Sequence, residues 1–171
     1  GKISENGCGK FANFTDKALS SIKNLGITHI WFTGVLEHAT QTDYSQYGIA
    51  KDHSAVVKGK AGSPYAIKDY YDVDPDLANN VKNRLKEYES LINRTHKAGL
   101  KVIMDFVPNH VARQYHSDAK PSGVKDLGEN DLNSVSYNRD NNFYYLPDQQ
   151  FEPQFSLLDE QKNAYIENPA K

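Results

Sequence analysis

The stretch Leu100-Lys101-Val102-Ile103-Met104-Asp105-Phe106-Val107-Pro108-Asn109-His110 decides how the rest of the chain reads. Leu100 to Val107 is a nearly continuous apolar, β-rich run, the pattern of a strand covered on both faces in a parallel sheet. Pro108 cannot extend the ladder, so Asn109 and His110 are predicted to project from the strand's C-terminal end. Asp105 is the anomaly. A carboxylate inside a strand that reads as buried is costly unless a cation or several donors meet it. No partner for it stands out in this chain. The plainer alternative is a strand-end carboxylate capping a loop, followed by ordinary turn residues.

Working upstream, Val81, Leu85, Tyr88, Ile92 and Thr95 share one helical face, and Gly99 stands where a helix ends in a left-handed residue. An earlier block repeats the plan. Ala18, Leu19, Ile22 and Leu25 form a helical face, Thr15 or Asp16 caps it, Gly26 closes it, and Ile27 to Thr33 is the strand. Two such units argue for an α/β fold, either a barrel or a doubly wound sheet, and neither unit closes a sheet alone. Leu36 to about Asn80, and everything from Pro108 onward, read as long, weakly periodic loops rich in Tyr, Asp, Asn, Ser and Gly. Ordered loops longer than about 12–15 residues are uncommon and usually functional. Both begin where a strand ends, the side on which parallel α/β folds build their sites.

Composition bounds the function. The 171 residues carry a formal net charge of −2, which leaves no electrostatic footprint for a nucleic acid or an anionic membrane. No apolar run approaches the ~18 residues of a spanning helix, and Gly1 to Gly7 lacks the apolar core of a signal peptide. The lone Cys8 excludes an intrachain disulfide and a thiolate metal site. A hydrophobic content of 38% is low for a self-sufficient domain, whereas 11% aromatic residues, with 11 Tyr, is not the composition of a disordered chain.

A second feature is Gly62-Ser63-Pro64-Tyr65-Ala66-Ile67-Lys68-Asp69-Tyr70-Tyr71-Asp72-Val73-Asp74-Pro75. Tyrosine rings present flat apolar faces with polar rims, suited to stacking on a sugar, although they serve equally as packing beneath a loop. Asp105 to His110 resembles the first signature region of the α-amylase superfamily of glycoside hydrolases, at the end of barrel strand three. Pro64 to Pro75 is similar to that family's Gly-Tyr stretch after strand two. Leu25 to Phe32 resembles the run into strand two, and His96 to Asp105 the run into strand three. Order and spacing agree from Thr15 to about His110.

The resemblance implies a partial TIM (β/α)8 barrel around strands two and three, with an irregular inserted segment after strand three. Residues 1–14 would be an N-terminal segment with strand one missing, 15–107 part of the catalytic barrel, and 108–171 the start of the inserted domain. It further implies that Asp105 pairs with an arginine on strand four, that His110 hydrogen-bonds the sugar at the cleavage subsite, and that Tyr65 stacks beneath that ring. Asn109 would be a ligand of a structural calcium, and Leu146-Pro147-Asp148 echoes a later calcium-binding signature. The implied parent is a retaining hydrolase of α-glucans such as starch and maltooligosaccharides, a polymer substrate that favours a periplasmic or extracellular setting. Its nucleophile and acid carboxylates lie on strands four and five, so this piece alone is expected to be inactive and to self-associate through its open barrel edge.

Two departures stand out. Pro64 replaces the family's glycine before the tyrosine, and Ala61-Gly62-Ser63 lies where exo-acting α-glucosidases place an aspartate, which leans toward endo-acting cleavage. Two rival readings remain. One is a non-catalytic amylase-like module that binds carbohydrate or assembles with partners. The other is an unrelated barrel metalloenzyme using Asp105, His110, His116 and Asp118, with solvated loop residues as the plainer account of the last two. Glu37 and His38 either face the cleft or begin a solvated loop, and the second is preferred.

Overall fold

The computed structural model describes residues 9–153 and 165–171; Cys8, and parts of the predicted N-terminal and inserted segments, lie outside them. Helix α1 (Asp16–Asn24) starts at Thr15, whose side chain accepts a hydrogen bond from the Ala18 N–H at 3.2 Å. Helix α2 (Arg84–Lys97) follows a 3-10 turn at Val81–Asn83. The glycines after each helix, Gly26 and Gly99, have φ of 86° and 74°, the left-handed geometry that a side chain resists.

Each helix leads into a short strand, β1 (His29–Phe32) after α1 and β4 (Lys101–Met104) after α2. They pair in parallel, with His29 opposite Lys101 and Phe32 opposite Met104. The repeated unit read from the sequence is therefore a repeated unit in space. Its core joins Phe11, Phe32, Val35, Val73, Tyr88 and Leu91, with Phe14, Ile30 and Val102 packed against them.

Four expectations need correction. The strands are not covered on both faces: Trp31 is 64% exposed and Ile103 46%, because no described element lies over that side. Strand β4 ends at Met104, so Asp105 sits just beyond it, although its N–H still donates to the Phe32 carbonyl at 3.0 Å. Leu25 and Leu85, assigned to helical faces, are exposed, since Leu25 is the capping position of α1 and Leu85 lies in the first turn of α2. The segment from Leu36 to Asn80 is not all loop. It contains β2 (Leu36–His38) and β3 (Ile67–Val73), paired antiparallel.

That second sheet was hidden because its alternation is broken. The register jumps from Leu36 opposite Val73 to Glu37 opposite Asp69, so residues of β3 bulge out between those pairs. The segment after β4 then lies along β3: the Ala112 N–H donates to the Ile67 carbonyl at 2.7 Å, and the His116 N–H to Lys68 at 3.0 Å. Further on, Leu146 bridges Ala170 and Phe151 bridges Glu167. Among the described residues no helix is long and apolar enough to cross a membrane.

Candidate functional site

The loops that leave β1 and β4 converge with the turn before β3. Gly34, Val35 and Leu36 from the first, Asp105 and Val107 from the second, and Pro64, Tyr65 and Ile67 from the third line one narrow cleft. Asp105 and Tyr65, remote in sequence, thus line one crevice of about 10 Å³, the room of a single water. The turn that presents Tyr65 is held by the Ala66 N–H donating to the Ser63 carbonyl at 2.9 Å. Its approach depends on Gly62. A Cβ there would lie 1.8 Å from the Ala39 carbonyl oxygen, and φ is +78°. Only glycine fits.

Asn109 and His110 face a larger cavity of about 540 Å³, shared with Tyr70, Arg113, Phe143, Tyr144 and Lys171. Both are exposed, and the His110 Nδ1 lies 2.5 Å from the Asn109 Oδ1. The strand-end loop that carries them is pinned by Tyr70. Its hydroxyl reaches the Val107 carbonyl at 2.8 Å and the His110 carbonyl at 3.0 Å, and its ring packs 5.3 Å from Phe106. Tyr70, quoted in the sugar-stacking motif, therefore serves to position this loop. Asp148, with φ of 64°, lines a different cavity with Asn133, Ser134, Pro147, Gln150 and Asn168.

Behind the cleft the sheet β2–β3 encloses a cluster of charges. Glu37 is 1% exposed, which overturns the preferred reading of a solvated loop start. The pairing with β3 is the reason, since it covers β2 completely. Oxygens of Glu37, Asp69, Asp72 and Asp118 all lie within 4.8 Å of one another. Arg84 donates from Nε to Asp72 at 2.7 Å and from Nη2 to Asp118 at 3.1 Å. Burial first, and then the carboxylates of Asp118, Asp72 and Asp69, push the Glu37 pKa up to about 8. Burial likewise raises Asp72, against the opposing bond from Arg84. Alongside, His38 donates from Nε2 to the Ala61 carbonyl at 2.9 Å and turns Nδ1 toward Asp74, 3.5 Å away. Burial lifts Asp74 to about 6 despite that histidine. A buried Lys68 meets Asp52 at 2.8 Å on the far side of β3.

This arrangement removes the metalloenzyme reading. His116 pairs with Asp126 at 2.8 Å, Asp118 joins the Glu37 cluster, and neither gathers with Asp105 or His110. The aromatic residues divide as well. Phe143 and Tyr144 line the cavity, whereas Tyr145 is buried and donates its hydroxyl to Asp131 at 3.1 Å.

A family model described as the catalytic domain of α-amylase matches residues 3–165. The chain belongs to the α-amylase family. An α-amylase of Streptomyces lividans is 34% identical over 104 residues, covering 61% of this chain and 10% of that protein. Pullulanase A of Streptococcus pneumoniae is 30% identical over 108 residues, or 61% of this chain and 8% of the relative. The chain thus spans about a tenth of the length of these relatives. Among solved structures, an α-amylase from Lactobacillus plantarum matches at 30% identity and a TM-score of 0.47, over 61% of this chain and 20% of that one.

Membership of the α-amylase family accounts for the parallel pair as a piece of a TIM barrel and directs attention to the C-terminal ends of its strands. The sequence pointed to Asp105, Tyr65, Asn109 and His110 there. It missed Arg84 and the buried carboxylates of the β2–β3 sheet. Asp69 and Asp72 stood in a quoted motif, but only the bulged pairing shows that both turn toward Glu37.

Proposed function

We propose that this chain is the substrate-side part of a retaining glycoside hydrolase that acts on α-glucans. The observation that carries the reading is the shared cleft of Tyr65 and Asp105 at the strand ends of a chain matched by the α-amylase catalytic model. Tyr65, 44% exposed, offers a ring on which a glucose unit can stack. Asp105 lines the same cleft, where it would pair with an arginine contributed by another strand. His110 donates to a sugar hydroxyl from the neighbouring cavity. Displacement itself requires two carboxylates about 5–5.5 Å apart, flanking the scissile bond, and these are supplied by later strands of the barrel. The 171 residues alone therefore hydrolyse nothing.

Family calcium has a thin basis at the strand end. Asn109 supplies one hard amide oxygen, whereas calcium takes 6–8 oxygen ligands, and Asp148 lines a separate cavity. These two residues do not make a site by themselves.

The test is turnover of a maltooligosaccharide by the intact protein, with the anomeric configuration followed by NMR. Retention of configuration is expected, and Tyr65→Ala should raise KM about tenfold or more, the worth of one lost stacking contact of roughly 1.5 kcal/mol. Binding without turnover of maltooligosaccharide or starch would replace the reading with a non-catalytic carbohydrate module. Reducing sugar released by the 171-residue chain alone would remove the claim that the chemistry lies elsewhere.

A further inference from the structure

We propose that Glu37, Asp69, Asp72 and Asp118 form a binding site for a divalent cation of calcium's size, separate from the sugar cleft. The four residues come from β2, from two points on β3 and from the segment after β4, so the fold gathers them from three places. Their ligand oxygens lie within 4.8 Å of one another. Calcium binds oxygen at about 2.3–2.6 Å, so two ligands on opposite sides of one ion stand up to about 5 Å apart. One ion can touch all four. Every donor is a carboxylate oxygen, the hard ligand that selects calcium or magnesium over zinc or copper. Magnesium keeps several waters and prefers few protein ligands, so the crowded protein donor set favours calcium.

A cluster of acids alone would not support this. The second observation is Glu37 itself. It is 1% exposed, its Oε2 is buried with no hydrogen-bond partner, and its carboxylate contributes an oxygen to the cluster. The neighbouring carboxylates are already engaged. Asp69 accepts the Tyr71 N–H at 2.7 Å and the Ala119 N–H at 3.3 Å. Asp72 accepts the Val73 N–H at 2.7 Å and the Arg84 Nε at 2.7 Å, and Asp118 accepts Arg84 at 3.1 Å. Arg84 thus supplies one positive charge against four carboxylates, and it leaves the Glu37 oxygen without a donor. A cation at the centre would meet that oxygen and balance the surplus charge together. Asp118, the exposed member of the four, marks the access route from solvent.

The site is independent of the α-glucan reading, because none of its four residues lines the Tyr65 cleft or the His110 cavity. The experiment is a calcium chloride titration of the intact, chelator-dialysed protein by calorimetry, with melting curves recorded at each calcium concentration. The wild type should bind one equivalent at this site and melt higher with calcium. Glu37→Gln, which keeps the side chain's shape, and Asp118→Asn, at the solvent edge, should each weaken that equivalent by tenfold or more. Asn109→Ala should retain it. If Glu37→Gln fails to fold, Asp118→Asn decides alone. The proposal is overturned if the wild type binds no calcium, if both carboxylate variants bind as the wild type does, or if only Asn109→Ala loses the ion.

Discussion

At the scale of single residues, burial sets the chemistry more than residue type does. Glu37 and Asp105 are both carboxylates beside a sheet. Glu37 is enclosed with three others and is pushed up to about 8, while Asp105 is only partly buried at the cleft. The consequence for stability has a definite sign. In calcium-free solution the native state keeps the Glu37 proton up to about pH 8, whereas the unfolded chain loses it near 4.5. Between those values the native state binds the extra proton, so stability should fall as pH rises and level off above 8. One proton gives a slope of at most about 1.4 kcal/mol per pH unit. Other groups titrate in the same window, so the informative quantity is the difference between wild type and Glu37→Gln. Urea denaturation at pH 5, 6.5 and 8 with EDTA present should show the variant gaining on the wild type across that range. A constant difference would mean that Glu37 is ionised throughout.

At the scale of elements, the sequence made some features legible and hid others for physical reasons. Helix capping and termination are local, so Thr15, Gly26 and Gly99 announced both helices. Strand polarity was visible because the two glycine-to-strand junctions share one phase. The β2–β3 sheet was not visible, because β2 has three residues and a bulge breaks the alternation of β3. Burial of Glu37, Asp69 and Asp72 runs against residue polarity and depends on that long-range pairing. In the candidate site, Asp105, Tyr65 and His110 were singled out through the family resemblance, and Tyr70's hold on the loop was not foreseen, since its partners are carbonyls of a distant segment. The turn before β3 gives the element-scale prediction. Gly62→Ala forces a Cβ against the Ala39 carbonyl at a φ of +78°. Left-handed strain and overpacking together should cost roughly 2–4 kcal/mol. The turn that aims Tyr65 should shift with it, so the variant should lose affinity for maltooligosaccharide as well as melting temperature. Ser63→Ala lies one residue away without the clash and should lose far less of either.

At the scale of the whole molecule, the interesting surface is the one that the parallel pair leaves open. Among the described strands β1 and β4 hydrogen-bond only to each other, so each keeps an outer edge of unpaired backbone groups. Trp31 is 64% exposed, Phe106 53%, Ile103 46% and Met104 38%, and all four belong to these strands or to the residues just beyond them. Exposed edges next to apolar side chains are templates for further pairing, and single proteins rarely leave a large patch of this kind uncovered. In a barrel, neighbouring strands would cover both the edges and the face. In the isolated 171-residue chain, another copy would satisfy them. Sedimentation velocity at about 10–100 μM should therefore find species heavier than the 19.3 kDa monomer, with the average mass rising with concentration. Lys at positions 31 and 103, introduced as Trp31→Lys and Ile103→Lys, should shift the distribution toward monomer, because a charge on an apolar face opposes docking. A monomeric wild-type chain that melts cooperatively would show instead that the helices and the β2–β3 sheet suffice to stabilise the open pair.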